Sequence, residues 1–260
     1  MEYRNKVILI TGASSGIGKS TAKALAQFNN TIILTARRES LLKRVANDVI
    51  KSGSECLTFV GDGREPSHAE AVVDEIVKRF GKIDIALLNI GMGPPSNTLE
   101  ASVQTILDCM DINYKSLINF YVPLIRQMKK QKEVCMISHM NSLATYFGIP
   151  MQGDYTAAKG AARLFLETVR MELKHFGFEH IRIQTVHPGF VDTDASKNDG
   201  IPAPNQISEE KAAAYVLKGF QKEWKENRFP FGTSLATRIG RIAPLRLRTK
   251  ILLSEAPKNF

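Results

Sequence analysis

The 260-residue chain has three cysteines, one tryptophan and no apolar run near the roughly 20 residues needed to span a bilayer as a helix. Cys56, Cys109 and Cys135 form an odd count, lie far apart and lack metal-ligand spacing. Buried free thiols in a reducing compartment are expected, rather than a disulfide framework or a structural zinc site. The opening MEYRNKVILITG has no separate apolar region and no small-residue cleavage site, so no secretory signal is expected and a cytoplasmic location is. Internal repeats, low-complexity stretches and Gly/Ser linkers are also missing, which removes solenoids and linker-joined modules from consideration. The hydrophobic and charged fractions, 43% and 23%, fit a soluble globular chain that buries a core as one domain over residues 1–260.

Negative charge is the scarcer sign, with 26 Asp/Glu against 35 Lys/Arg and a net charge of +9. The segment from Lys218 to Phe260 holds ten Lys/Arg and three Asp/Glu, so 10 − 3 = +7 of that excess sits in the tail. Nucleic-acid binding is not expected, because the tail lacks interleaved aromatics and any recognition motif. From Leu235 to Leu253, Leu and Ile alternate with Arg238, Arg241, Arg246, Arg248 and Lys250, and Pro244 interrupts any long helix. A solvated basic surface, a helix docked on its own domain and peripheral contact with anionic membrane all fit this basic tail over 233–260.

Short apolar runs alternate with longer amphipathic stretches. Val7–Thr11, Thr31–Thr35, Cys56–Val60, Ile83–Leu88, Val134–Ile137 and Ile181–Val186 read as strands. Gly16–Phe28, Glu39–Lys51, Pro66–Phe80, Ser102–Lys130 and Tyr155–Phe176 read as helices. This alternation predicts an α/β fold, a Rossmann-type doubly wound parallel sheet flanked by helices on both faces. In such a sheet ligands bind beyond the carboxyl ends of the strands, where the motifs below all fall.

After the first strand, Thr11-Gly12-Ala13-Ser14-Ser15-Gly16-Ile17-Gly18 runs directly into a helix. Gly12 permits a tight turn, Gly16 lets backbone approach a ligand, and Gly18 allows close helix–strand packing. The helix start then offers N–H groups and positive potential to a pyrophosphate. An acidic residue at the end of the second strand would favour NAD; Arg37 and Arg38 stand there instead, and a guanidinium fork suits the 2′-phosphate of NADP. Asp62 and Gly63 follow the third strand, where a carboxylate can accept from an adenine amino group. Asn89-Ile90-Gly91 ends the fourth, with flexible backbone able to pass close to a cofactor.

Tyr155 and Lys159 stand four apart on one helix and share a face. A nearby ammonium, together with oxidised nicotinamide, favours tyrosinate, and moving a phenol from about 10 to about 7 takes roughly 4 kcal/mol. Beyond the fifth strand, Ser138 and Ser142 both offer a hydroxyl that can polarise a carbonyl.

Together these elements resemble the short-chain dehydrogenase/reductase family, in its single-domain, NADP-preferring type, from about Lys6 to Thr193. The resemblance rests on Thr11-Gly-x-x-x-Gly16-x-Gly18, Asp62, Asn89 with Gly91, Asn113, Ser142, Tyr155-x-x-x-Lys159 and Pro188-Gly189-x-Val191-x-Thr193. The family's serine-to-tyrosine spacing selects Ser142 over Ser138. It implies that Tyr155 is the acid–base residue, that Lys159 lowers its pKa and holds the nicotinamide ribose, and that Ser142 orients a carbonyl. Asn113 would hold a relay water, while Pro188, Gly189, Val191 and Thr193 would line the nicotinamide amide and pyrophosphate. The expected activity is NADPH-dependent reduction of a carbonyl by a homodimer or homotetramer. Two elements depart from the pattern: Leu88-Asn89-Ile90-Gly91 replaces Asn-Asn-Ala-Gly, and Asn141 replaces a serine. Bulkier Ile90 would press on the adenine-side ribose. That loosened element, with the basic tail, keeps a second reading in play, a weakly active NADP(H)-binding regulatory or scaffold protein.

Substrate choice is expected in residues 194–225, a loop followed by a helix over Ser208–Gln221. Asp199-Gly200-Ile201-Pro202-Ala203-Pro204 is rich in turn formers and reads as a lid. Ile201, Phe190, Tyr146, Phe147, Met92 and Met151 are expected as apolar walls, favouring a hydrophobic ketone or aldehyde. Arg228–Phe231 reads as a last strand.

Overall fold

In the first strand, β1 (Val7–Thr11), successive side chains take opposite sides of a sheet covered on both faces. Ile8 and Ile10 enter one apolar cluster while Val7 and Leu9 enter another, so all are buried. The computed structural model describes residues 1–194, 203–254 and 256. Chain order runs α1 (Gly16–Leu25), β2 (Thr31–Ala36), α2 (Glu39–Lys51), β3 (Glu55–Val60), α3 (Pro66–Phe80) and β4 (Ile85–Leu88). Next come α4 (Val103–Met110), α5 (Ser116–Met128), β5 (Cys135–Met140), α6 (Gly153–His175) and β6 (Ile181–Pro188). The chain continues through β7 (Val191–Asp192), β8 (Ile207–Ser208), α7 (Glu209–Lys222), β9 (Glu226–Phe229), α8 (Phe231–Ile242) and α9 (Leu245–Ser254).

Seven strands form one parallel sheet in the order β3-β2-β1-β4-β5-β6-β9. The first cluster packs β1 and β2 against α1, α2 and α7; the second packs the other face against α3, α5 and α6. This is the Rossmann-type architecture expected from the alternation. Strand order reverses between β1 and β4, and a crevice opens at their carboxyl ends. β7 pairs with β8, so the segment expected to select substrate leaves and returns beside that crevice. Most of the proposed lid, including Ile201, lies outside the described residues.

Three departures from the expected elements have local causes. The helix read as Ser102–Lys130 is interrupted by a π-helical turn, Asp111–Lys115, between α4 and α5. Such wide turns gather at functional sites, and this one carries Asn113. The last strand is Glu226–Phe229 rather than Arg228–Phe231: Pro230 has no N–H for the ladder, and Phe231 starts α8. β3 is an edge strand with partly exposed side chains, so not every apolar run is covered on both faces.

Candidate active site

One cleft of about 560 Å³ collects the ends of β1 through β6. Where β1 ends, Gly12 and Gly16 adopt φ values of +63° and +57°, in the left-handed region that side chains avoid. Ser15 precedes α1 without a side-chain cap, so the helix's first amides face the cleft uncapped. Ser14, Ser15 and Ile17 also line it, and Thr193 closes on Gly16 from the far side, 3.3 Å from where a β-carbon there would sit. Gly18 lies behind this surface: a β-carbon would fall 2.6 Å from the Asn89 amide and 2.7 Å from the Gly12 carbonyl. Asn89 is therefore committed to the protein, donating to the Gly12 carbonyl at 3.1 Å while its own N–H bonds Thr11.

Beside the glycine turn the ends of β2 and β3 carry three guanidinium groups. Arg38 bonds Ser14 at 3.0 Å and Ser15 at 2.5 Å, which fixes it across the glycine turn. Arg37 stays more than half exposed, 3.9 Å from Asp62. Arg64 chelates Asp62 through Nε and Nη2 at 3.0 and 2.7 Å, and its backbone N–H bonds the other carboxylate oxygen at 2.9 Å. Hydrogen bonding from Arg64, with the Arg37 charge, holds the Asp62 carboxyl below its ordinary value. Sequence reasoning missed Arg64, whose signal was a third basic residue two positions after Asp62. Ile90 sits 2.3 Å from where a β-carbon on Gly63 would lie, so its extra bulk is absorbed by that glycine.

At the other end stand Ser142, Tyr155 and Lys159. Ser142 caps a short 3-10 turn (Leu143–Tyr146), its hydroxyl accepting from Ala144 N–H at 3.1 Å. Ser138 is fully buried and bonded to Gln184, which removes it as a rival. Lys159 is buried and donates to the Met140 carbonyl at 2.9 Å, with Nζ 5.7 Å from the Tyr155 ring centre. Burial pushes its ammonium down to about 8. Burial also raises the Tyr155 phenol above its ordinary value, against the opposing hydrogen bond from Ser142. Burial outweighs Ser142, so the net shift set by the protein's own groups is upward. Lys159 Nζ and Asn113 Oδ1 meet behind Gly91, 2.8 and 2.9 Å from where a β-carbon there would sit. Asn113 is buried off the cleft wall. Its amide grips the Met92 backbone, donating to the carbonyl at 2.7 Å and accepting from the N–H at 3.2 Å. Gly93 brings that same loop over the Tyr155 ring.

Behind Ser142 lies a buried charged network. His187 reaches the Ser142 carbonyl through Nδ1 at 3.1 Å and Glu226 through Nε2 at 2.7 Å. Arg170 and Arg228 also bind Glu226, at 2.7 and 3.0 Å. Burial would raise the Glu226 carboxyl, but His187, Arg170 and Arg228 outweigh it and hold it down at about 2. Neither ring nitrogen of buried His139 has a partner among the described residues. Burial, with Lys159 and His187 adding positive potential, keeps that ring far below its ordinary pKa and hence neutral.

The apolar walls are partly as expected. Met92, Phe147 and Phe190 line the cleft with Ile149 and Leu143, and Pro188, Gly189 and Val191 close it. Tyr146 does not line it: its ring lies tilted by 31° against His187, surrounded by Arg163, Arg228 and Arg241. Met151 is also off the wall, at φ +61° in the loop before α6. Thr233 and Thr237 of α8 complete the wall and were not foreseen, because the tail carries no motif that marks them. Thr233 Oγ1 is buried without a hydrogen-bond partner among the described residues.

A doubly wound sheet with a glycine turn and a Ser–Tyr–Lys cluster in its cleft defines a nucleotide-dependent oxidoreductase class, and the chain belongs to the short-chain dehydrogenase family, whose model matches residues 6–201. An uncharacterized oxidoreductase of Listeria monocytogenes is 32% identical over 194 residues, covering 75% of this chain and 77% of that protein. A 3-ketodihydrosphingosine reductase of Bacteroides thetaiotaomicron is 27% identical over 250 residues, covering 95% of this chain and 87% of its own. The crystal structure of a short-chain dehydrogenase/reductase from Burkholderia phymatum in complex with NAD superposes with a TM-score of 0.81 at 22% identity, covering 100% of this chain and 99% of that one.

Proposed function

We propose that the protein is an NADPH-dependent reductase that turns a hydrophobic ketone or aldehyde into an alcohol, within one domain spanning residues 1–260. The reading is carried by one observation: Tyr155, Ser142 and Lys159 meet at one end of a cleft whose other end holds Arg37, Arg38 and Arg64. One carboxylate, Asp62, faces those three cations, so the adenine end keeps positive potential for a 2′-phosphate. The cradle of Gly12, Gly16 and the uncapped α1 start fits a pyrophosphate, and the shallow Gly189–Val191 wall fits a nicotinamide.

Bound there, the nicotinamide supplies a hydride in reduction and, once oxidised, a positive charge that favours tyrosinate. Ser142 Oγ donates to the substrate oxygen and orients it, and Tyr155 Oη delivers a proton to that same oxygen. Lys159 Nζ, carried on the turn of α6 after Tyr155, holds the ribose side. Asn113 fixes the Gly91–Gly93 loop that covers the tyrosine and serves the relay that refills its proton. The Met92, Phe147 and Phe190 walls support a hydrophobic substrate. So does the relative named a 3-ketodihydrosphingosine reductase, which puts long-chain ketones first among the compounds to try. A homodimer or homotetramer acting in the cytoplasm completes the reading.

The test is NADPH consumption against short and long aldehydes, cyclic ketones, steroids, long-chain ketones and 3-oxoacyl thioesters, with Tyr155→Phe as control. Turnover with one class is expected, falling on the order of 10²- to 10⁴-fold in Tyr155→Phe while NADPH still binds. An undiminished rate in the variant would sink the assignment of Tyr155. Silence across the panel with NADPH bound would favour the regulatory or scaffold alternative.

A further inference from the structure

The last two helices present an apolar surface that the protein does not cover. On α8, Phe231, Leu235, Ile239 and Ile242 follow one another at helical spacing and all are exposed, Phe231 at 78% and Ile242 at 83%. On α9 no residue is buried, and Leu245, Leu247, Ile251 and Leu253 are each at least half exposed. Between Phe231 and Ser254 the chain places Arg238, Arg241, Arg246, Arg248 and Lys250, without one Asp or Glu. None of these five cations enters an ion pair among the described residues, although Arg241 lies over Tyr146 and Arg248 over Phe147. The opposite side of α8 is tied to the fold: Ser234 is buried, Thr233 and Thr237 line the cleft, and Gly240 sits against Phe147. α8 is thus anchored by one face and bare on the other, and α9 follows it with no buried residue.

We propose that these two helices dock on an anionic lipid bilayer. Charge decides the occupant. A second copy meeting the same surface across a two-fold axis would set five cations against five, with no acid in the segment to offset them. An anionic bilayer offers apolar depth for the Leu, Ile and Phe side chains, and headgroup phosphates for Arg and Lys heads that snorkel beside them. Helix length agrees with a surface location: α8 and α9 run 12 and 10 residues, and no described helix is long and apolar enough to cross a membrane. Docking is a property of the outer face and does not depend on turnover in the cleft.

The experiment is flotation of the full chain with vesicles of equimolar phosphatidylglycerol and phosphatidylcholine, against phosphatidylcholine alone, at low and high salt. Binding is expected only to the anionic vesicles, weakening as salt rises. Each cation removed lowers partitioning roughly fivefold, so Arg246→Gln with Lys250→Gln together cost about 25-fold. Ile242→Glu, at a position 83% exposed, abolishes flotation without loss of NADPH binding or thermal stability. Equal binding to both vesicle types, or none to either, overturns the proposal. Retention on heparin without flotation assigns the patch to polyanions instead. A concentration-dependent dimer dispersed by Ile242→Glu, with no vesicle binding, assigns it to self-association.

Discussion

Replacing Lys159 by methionine should make the protein more stable while abolishing its turnover. The lysine stem and a methionine side chain fill similar space, so the substitution chiefly removes a buried charge. Burial lowers the Lys159 ammonium from 10.5 to about 8, which corresponds to roughly 3 kcal/mol against folding at neutral pH. The ammonium also satisfies the Met140 carbonyl at 2.9 Å, and losing that bond returns about 1 kcal/mol. The net gain is about 2 kcal/mol, or roughly 4–8 °C in melting temperature for a chain of this size.

The pH dependence distinguishes this account from simple repacking. Below pH 8 the lysine is charged in both folded and unfolded chains, and the full penalty is present. Between pH 8 and about 10.5 the folded protein gives up its proton while the unfolded chain keeps one, so wild-type stability rises with pH relative to the variant. Thermal unfolding of both proteins, without cofactor, at pH 7 and pH 10 measures this. The variant should melt several degrees higher at pH 7, and the gap should shrink by pH 10. A variant that melts no higher at pH 7, or a gap unchanged at pH 10, refutes the reasoning.

Other consequences follow from the same geometry. Arg64→Ala should raise the apparent KM for NADPH by about an order of magnitude and leave that for NADH nearly unchanged, since a charge-assisted bond contributes about 1.5–3 kcal/mol; equal effects would mean Arg64 does not read the 2′-phosphate. Arg37→Ala should act in the same direction, measured in the same assay. Glu226→Gln should cost up to roughly 3 kcal/mol at pH 7, because the carboxyl is held at about 2 rather than 4.5. That stabilisation is fully present above pH 4.5 and is lost as pH falls toward 2. The variant's unfolding curve should therefore be flatter than wild type over that window, and parallel acid titrations would count against the network.

Alternating strand and helix patterns could be read because each element packs its apolar side against one large sheet, where periodicity survives. The glycine turn and Tyr155 with Lys159 were legible because their spacing is short and local, whereas Ser142 was told from Ser138 only by the family resemblance. Three parts of the site were not legible. The π-helical turn that seats Asn113 arises from packing between α4, α6 and the Met92 loop, and no local residue pattern announces it. Arg64 acquires meaning only when β3's end is folded beside Arg37 and Arg38. Thr233 and Thr237 reach the cleft because β9 joins the far edge of the sheet and returns α8 over its mouth.

The places where sequence rules break are also where the chemistry is proposed to sit. A lysine is buried against a carbonyl, a histidine is buried with neither nitrogen paired, and a tyrosine is held above its ordinary pKa. Each costs stability, and sequence logic alone would place none of them in a core. The His187–Glu226 pair offsets part of that cost: it ties the Ser142 carbonyl to β9 and fixes the serine from behind. A phenol raised by burial is a proton donor held in reserve, and Lys159 near 8 remains largely cationic at neutral pH. The protein's own groups thus leave both side chains protonated at neutral pH. The charge that would move the phenol toward tyrosinate is that of an oxidised nicotinamide, proposed above to bind beside it.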